Sequence, residues 1–278
     1  MTAASASAAS AASALLPPLD DPRAQVLLAL ADDALITGHR ASHWTGVAPS
    51  LEEDLAFSTI AQDGVNHADL WYQVLLGPDV DDLRAGVDAL GLGRLPEQYR
   101  HAIVCERPPR DFAYTLARHW VLTRFDAVRL EVLTGSSDAE VAAIAVKLGH
   151  ELRYHREHAD HWFHKLSGGG EDAHERFRAA LAAVLPASLG LYEPVAGEDR
   201  AVANGLLPVG HPDLRALVEA GTAPLLRAAG YDELVPEPSA TVPGADAGGR
   251  LGRHTDDFTV DVWPEMTELY RAHPEARW

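Results

Sequence analysis

Apolar residues recur at intervals of three and four along most of this chain, which is the spacing of amphipathic helices. The first such run begins at Pro22 and stops at the turn-forming residues 46–49. Ser50 and Glu53 have the spacing of a capping box, in which each side chain satisfies a backbone amide at the start of a helix. A second long helix is therefore predicted over residues 51–77.

The same pattern continues in the middle of the chain. It predicts a short helix over residues 79–90 and a third long helix over residues 111–134. Ser137 and Glu140 repeat the capping-box spacing, so a fourth long helix is predicted from there to the glycines at 168–170. Four helices of this length, compared with a mean helix of about 12 residues, favour a bundle.

The remainder of the chain shows no period-two alternation typical of strands and no internal repeat. Proline, glycine and serine are frequent over residues 236–252, which predicts a long surface loop. We therefore predict an all-α fold with one domain over residues 21–278: a long four-helix bundle in residues 22–168 and a helical extension in residues 171–278 that packs on it. The helices predicted in the extension cover residues 172–192, 212–229 and 256–272.

The first residues of the chain differ in composition from the rest. Residues 1–19 carry no charge, and residues 1–14 are mainly alanine and serine. They have neither the basic start and continuous apolar run of a signal peptide nor the arginines of a transit peptide, so a disordered tail is predicted over residues 1–20. Because no stretch approaches the roughly 20 apolar residues that span a bilayer, we expect a soluble protein.

The charge balance excludes some classes of partner. The chain has 23 basic and 41 acidic residues, a formal net charge of −18. This charge opposes binding to the phosphates of a nucleic acid and to an anionic membrane surface. Cys105 is the only cysteine, so the chain has no intrachain disulfide and no cysteine-built zinc site, which fits a reducing, cytoplasmic setting.

A long four-helix bundle can enclose two metal ions. The ferritin-like di-iron proteins use one carboxylate from each of two helices and a Glu-x-x-His pair from each of the other two. On the second helix, Asp63 is followed three residues later by Asn66 rather than by a histidine. On the fourth helix, Glu151 is followed at the same offset by Tyr154. Both expected histidines are therefore missing from their positions.

Histidines do occur one residue later on both helices, as His67 and His155. The resulting acid and histidine pairs have i, i+4 spacing, which also places both side chains on one helix face. The first helix offers Asp33, whereas the middle of the third offers Thr123. We favour buried, hydrogen-bonded polar pairs over metal ligands, with a bound metal pair as the alternative.

Two other groups of side chains have the spacing of functional residues. Histidines repeat every three residues down the fourth helix, but the repeat turns about 60° per step, so at most two of them can face one ion. We interpret this stripe as a solvated or subunit-facing surface; it comprises His155, His158, His161 and His164. Aromatic residues on charged helices are predicted interface anchors, with at least two expected in the core; they are Trp44, Trp71, Tyr72 and Trp162.

Five stretches, in order along residues 22–278, resemble one known family. They are ADDALITGHRASHWTGVAPSLEEDLAFSTIAQD (31–63), ERPPRDFAYTLARHW (106–120), ELRYH (151–155), GGRLGRHTDDF (248–258) and EMTELYRAHPEARW (265–278). The family is that of the phenylacetic acid catabolic proteins, in particular the C-type members of the phenylacetyl-CoA epoxidase complex. The resemblance implies a ferritin-like fold in a non-catalytic subunit.

In that family's complex, the related A subunit holds the di-iron site and oxidises the aromatic ring of phenylacetyl-CoA to a 1,2-epoxide, with electrons from NADPH through a separate reductase. The C-type member pairs with A and supports it. The resemblance therefore implies a cytoplasmic chain with no catalytic, cofactor-binding or metal-binding residue, whose partners are the A subunit, the other small subunits and, indirectly, the reductase. Tyr154 and Thr123, at positions where ligands would be needed, agree with that loss.

Two alternatives belong to other classes of protein. The first is a self-sufficient ferritin-like oxidase or oxygenase with its own metal ions at Asp33, Asp63, His67, Glu151 and His155. The second is a ferritin-like storage protein, which the shortage of ligands and the additional C-terminal helices disfavour. Metal analysis of the purified chain separates these alternatives from the structural subunit.

Overall fold

The structure, a computed structural model, describes residue 18, residues 21–237, residues 246–273 and residue 276. Apart from residue 18, the predicted N-terminal tail lies outside the described residues, as does the middle of the predicted 236–252 loop. The described residues form ten α-helices and several short 3₁₀ or π segments, with no β-strand among them, which confirms the all-α class. None of the described helices combines the length and the apolar character needed to cross a membrane.

The helix bounds follow the predicted pattern closely. The α-helices are α1 (Pro22–Ser42), α2 (Leu51–Leu76), α3 (Leu83–Leu92), α4 (Ile103–Glu106), α5 (Phe112–Leu133), α6 (Ala139–Ser167), α7 (Glu171–Ala187), α8 (Glu198–Ala203), α9 (His211–Ala228) and α10 (Trp263–Ala272). The 3₁₀ segments are Pro96–Gln98, Ser188–Tyr192, Asp232–Leu234 and Gly249–Leu251, and a π-helical turn covers Asp257–Val262.

The chain divides into two compact units. The first comprises Met1–Pro108, Val195–Ala201 and Gly248–Trp278, and the second comprises Pro109–Pro194 and Val202–Ala247. Each unit contains one pair of long helices, α1 with α2 in the first and α5 with α6 in the second.

The first unit is built on an antiparallel pair, α1 and α2. Arg23, in the first turn of α1, donates to the Val74 carbonyl near the end of α2 across 3.2 Å. Near the other end of the pair, the Thr45 and Ser58 hydroxyls lie 3.0 Å apart. Helix α1 is buried around most of its circumference, because α2, α4 and the C-terminal π-helical turn all pack against it.

The two helices of this pair approach most closely where each carries a glycine. A Cβ atom added to Gly64 would lie 2.8 Å from the Gly38 Cα and 3.0 Å from the Ala34 carbonyl oxygen. Both neighbours are backbone atoms, which cannot rotate away as a side chain would. The glycines thus set the distance between α1 and α2.

The second unit is built on a second antiparallel pair, α5 and α6. The Phe112 ring, at the start of α5, makes an edge contact with Trp162 near the end of α6, with ring centroids 5.8 Å apart. Trp120 is fully buried and stacks on Phe163 at 4.4 Å. These large aromatic contacts bury apolar area between the helices and fix their register.

Four local predictions need correction. Asp138, not Ser137, caps α6, because its carboxylate accepts from the Glu140 and Val141 amides. Helix α3 begins at Leu83 rather than near residue 79, since the Asp82 carboxylate caps it there. The helix predicted over 172–192 changes to a 3₁₀ segment at residue 188, and that predicted over 256–272 begins as a π-helical turn.

The predicted surface loop also differs from the structure at its C-terminal end. Gly249 and Arg250 are buried, and the Arg250 side chain is completely shielded from solvent. The cause is an ion pair with the Asp33 carboxylate on α1, which holds this segment in the interior of the first unit.

Candidate functional site

Asp33 is the candidate ligand that the first helix offers for the alternative of a metal pair, and the structure buries it in the first unit with 4% of its surface exposed. Its Oδ1 accepts a hydrogen bond from the Ala102 amide at 2.9 Å and one from Arg250 Nη1 at 2.8 Å. The Cys105 thiol lies 3.6 Å from the same oxygen. Oδ1 thus accepts from two donors of its own chain, and a guanidinium supplies the counter-charge of the carboxylate.

The predicted residues on α2 differ in burial. His67 is buried, Asp63 is half-buried and Asn66 is exposed within the first unit. Asn66 and His39 line the same open groove, whose volume is about 440 Å³. Asn66 therefore lies at the surface of this unit and not on its buried face.

The predicted residues of the second unit also separate into two sets. Thr123 and His155 are buried. Glu151 is 40% exposed and lies 3.9 Å from Lys147, and Tyr154 is exposed. The expectation that Glu151 forms a buried pair with His155 is therefore wrong. The reason is that α6 buries only a narrow stripe, which comprises Val141, Ala145, Leu148, Leu152, His155, Ala159 and Phe163.

A small group of histidines lies inside the second unit. The rings of His155 and His158 are 6.3 Å and 5.4 Å from the ring of His119, and the Thr123 hydroxyl lies 3.5 Å from His119 Nδ1. Burial lowers the pKa of His119 well below its usual value, and the charges of His158 and His155 lower it further. Burial in this group therefore favours the neutral form of His119.

The histidine stripe of α6 follows the predicted drift around the helix. His155 and His158 face His119, whereas His161 and His164 are exposed. The interpretation as a surface thus holds for the second half of the stripe only. The predicted aromatic anchors divide in the same way, because Trp71 and Tyr72 are core residues and Trp44 and Trp162 are half-buried.

These positions decide whether the residues fit the di-iron pair of ferritin-like enzymes. Such a site needs inward-facing carboxylates and imidazoles that are free to bind cations. Here Asp33 is bound by an arginine, and Asn66, Glu151 and Tyr154 are exposed within their units. The set does not fit a di-iron pair.

Sequence reasoning missed a buried ionic network centred on Asp32, the neighbour of Asp33. The Asp32 carboxylate accepts from the Tyr72 hydroxyl at 2.5 Å, from Arg94 Nη1 at 3.0 Å and from the Arg100 amide at 2.6 Å. Burial and the Asp32 charge raise the pKa of Tyr72 well above its usual value. Arg94 also lies over the Tyr99 ring at 4.0 Å. The network holds an arginine and a carboxylate as a fully buried ion pair.

A second missed network surrounds Glu106 at the end of α4. Its Oε2 accepts from His101 Nε2 at 2.7 Å and from His254 Nδ1 at 3.0 Å, and its Oε1 accepts from the Thr255 amide and hydroxyl at 2.8 Å and 2.6 Å. The two imidazoles stack at 4.0 Å. Although burial opposes ionisation, the hydrogen bonds from His101 and His254 hold the pKa of Glu106 well below its usual range. The Glu106 carboxylate is thus held in its charged form by hydrogen bonds from its own chain.

A third missed group lies at the end of α1. His39 Nε2 and His43 Nε2 face the same carboxylate oxygen, Oε2 of Glu265 on α10, at 3.6 Å and 3.4 Å. The i, i+4 spacing of the two histidines is visible in the sequence, but their carboxylate partner is more than 200 positions away. For the Asp32 network the visible signal is the acidic pair Asp32 and Asp33 inside an apolar run.

The fold and the site define an all-helical protein in which buried carboxylates are bound by the chain's own arginines and histidines. The chain matches the family model of the phenylacetic acid catabolic protein over residues 7–278, and it belongs to this family. Among its relatives is the C subunit of the 1,2-phenylacetyl-CoA epoxidase of Escherichia coli (strain K12). The two are 29% identical over 257 residues, which cover 90% of this chain and 97% of the relative. The resemblance seen in the sequence is confirmed.

Proposed function

We propose that this chain is the structural, non-catalytic subunit of a 1,2-phenylacetyl-CoA epoxidase complex, in which it pairs with and supports a di-iron catalytic A subunit. The similarity to the C subunit of the Escherichia coli epoxidase supports this role, because it extends over nearly the whole of both chains. In the complex, the chain would also meet the other small subunits and, through them, the reductase.

The observation that carries the proposal is the environment of Asp33. A metal pair at this position would need an ionised carboxylate facing other ligands, but Asp33 Oδ1 already accepts from Arg250 and Ala102. The Arg250 guanidinium lies 2.8 Å from this oxygen, so it would repel a cation that approached the carboxylate. On α6, the exposed positions of Glu151 and Tyr154 leave His155 as the buried member of the predicted set. This arrangement supports a structural role for the chain rather than a catalytic one.

An exposed apolar surface in the first unit is consistent with a partner. Val47, Leu51 and Leu55 are 67%, 72% and 61% exposed, and the i, i+4 spacing places Leu51 and Leu55 on one face of α2. Large exposed apolar side chains that lie together are typical of interaction surfaces.

The proposal is tested by co-expressing the chain with the catalytic subunit and measuring complex formation, iron content and NADPH-dependent oxidation of phenylacetyl-CoA. We expect the two chains to co-purify and all iron to follow the catalytic subunit. Turnover should need both chains. A chain that alone carries two iron atoms, with the absorption of an oxo-bridged pair, would contradict the proposal and would favour the self-sufficient oxygenase.

A further inference from the structure

Two histidines and one glutamate of the first unit converge at the end of α1. His39 and His43 are one helical turn apart, and their Nε2 atoms point to Glu265 near the start of α10. The Glu265 Oε2 lies 3.6 Å from His39 Nε2 and 3.4 Å from His43 Nε2. All three candidate ligand atoms lie within 4.8 Å of one another.

The contacts in this group are not hydrogen bonds of normal length. An N–H···O bond joins atoms about 2.7–3.2 Å apart, whereas the distances here are longer. Both Nε2 atoms are shielded from solvent and lack a hydrogen-bond partner. Buried nitrogens without a partner are rare, and each one needs an explanation.

The Glu106 network provides a direct comparison within the same unit. It also joins two histidines to one carboxylate, but at 2.7 Å and 3.0 Å, and Thr255 fills the remaining acceptor positions. The acceptor positions of the Glu106 carboxylate are therefore all occupied by hydrogen bonds. At Glu265 the carboxylate is instead 55% exposed, and the two imidazole nitrogens approach it without bonding to it.

The two distances from the histidine nitrogens to Glu265 Oε2 match those between neighbouring ligands of a tetrahedral metal ion. With Zn–N and Zn–O bonds of about 2.0–2.2 Å, adjacent ligand atoms of a tetrahedron lie about 3.4 Å apart. An octahedral ion with bonds of about 2.1 Å brings adjacent ligands to about 3.0 Å. We propose that His39, His43 and Glu265 form a binding site for Zn²⁺, a function separate from support of the catalytic subunit.

The charges around the site suit this ion. The Glu265 carboxylate faces both imidazole nitrogens and would supply a negative charge to a bound cation. Arg40 is itself engaged by Asp261 at 2.9 Å, so its positive charge is compensated close to the site.

The ion would connect two parts of the chain that are far apart in sequence. It would fix the last turns of α1 to the first turn of α10, and three protein ligands would leave a fourth position for water. His39 also lines the open groove of about 440 Å³ beside α1 and α2, and the Glu265 side chain is 55% exposed, so the site reaches solvent. The site is thus both coordinating and accessible.

The full chain in metal-free buffer should be titrated with zinc chloride by calorimetry, and its zinc content measured after dialysis. We expect one zinc ion per chain, a raised melting temperature and, with Co²⁺ in place of Zn²⁺, the visible absorption of a tetrahedral site. Glu265→Gln and His43→Ala should each weaken zinc binding at least tenfold. His161→Ala, which removes an exposed histidine of α6, should bind as the wild type does.

Because Glu265 is half-exposed, Glu265→Gln should fold normally, and circular dichroism checks this. Failure of the wild type to bind zinc at 100 µM would overturn the proposal, as would equal binding by wild type and Glu265→Gln or a loss of binding in His161→Ala. Iron content and epoxidation are not readouts here, so the outcome is independent of the proposed function.

Discussion

Arg250 donates through Nη1 to Asp33 Oδ1 across 2.8 Å, in an ion pair that joins residues 217 positions apart. The Asp33 side chain is 5% exposed and the Arg250 side chain is fully buried. The same Nη1 also donates to the Arg100 carbonyl at 3.0 Å. A buried carboxylate without a counter-charge is strongly unfavourable, so this contact explains why the segment around Arg250 enters the core of the first unit.

Replacement of Arg250 by methionine tests this pair. Arg250→Met keeps much of the side-chain volume but leaves Asp33 buried without its counter-charge, so we expect a loss of about 3–5 kcal/mol in the free energy of unfolding. The corresponding fall in melting temperature is about 2–4 °C per kcal/mol. Urea denaturation of the purified variant measures it.

Two further variants show whether the effect belongs to the pair. Asp33→Asn in the Arg250→Met background should recover part of the lost stability, because the uncompensated charge is gone. Arg253→Met, at an exposed position three residues away, should change stability by no more than about 0.5 kcal/mol. Equal losses at Arg250 and Arg253 would show that the pair with Asp33 is not the cause.

The helices could be predicted from the sequence because the signals that define them are local. Ser50 caps α2 by accepting from the Glu53 amide, as the capping-box spacing predicts. The Arg250 pair could not be predicted in this way, because only the tertiary fold brings Arg250 to α1. The position of Glu265 beside His39 and His43 is unpredictable for the same reason.

The burial of single residues on a long helix also could not be predicted from the sequence. Glu151 and His155 are separated by about 40° around α6, and periodicity places both on one face. The structure buries His155 and exposes Glu151, because α5 contacts only a narrow stripe of α6. Where that stripe ends depends on the neighbouring helix and not on α6 itself.

The close contact between α1 and α2 makes a second prediction. Gly64→Ala should destabilise the chain, because the new methyl group would lie 2.8 Å from the Gly38 Cα and force the helices apart. Gly149→Ala is the matched control on α6, where an added Cβ meets no atom within 4 Å. This change should stabilise by about 0.5–1 kcal/mol through helix propensity alone. Thermal unfolding of both variants measures the difference, and a stabilising Gly64→Ala would contradict the packing.

The two members of the predicted pair on α6 should respond differently to truncation. Glu151→Ala removes an exposed side chain and should change stability by no more than about 0.5 kcal/mol. His155→Ala removes a buried ring beside His119 and should destabilise by about 1–3 kcal/mol. Turnover per assembled complex should remain normal in Glu151→Ala. If that variant is stable and assembles but cannot support epoxidation, Glu151 has a direct role in the reaction.

The last prediction concerns the loss of folding stability at low pH. Burial, together with the charge of His254, lowers the pKa of His101 to about 4, compared with 6.5 for an ordinary histidine. The unfolded chain therefore takes up this proton first as the pH falls. The stability associated with neutral His101 is complete above about pH 6.5 and is lost progressively toward about pH 4, at a rate of up to about 1.4 kcal/mol per pH unit.

Urea denaturation between pH 7.5 and pH 5 measures this dependence, in a range above the ordinary pKa of the carboxylates. Wild type should lose stability over the interval. His101→Phe should be less stable than wild type throughout but have a shallower slope. Its free energy of unfolding should fall by about 2 kcal/mol less than that of wild type between pH 6.5 and pH 5. His161→Phe, at an exposed position, should keep the wild-type slope. An unchanged slope in His101→Phe would show that His101 is not a source of the acid sensitivity, and would leave His119 as the buried histidine to test next, because burial lowers its pKa in the same direction.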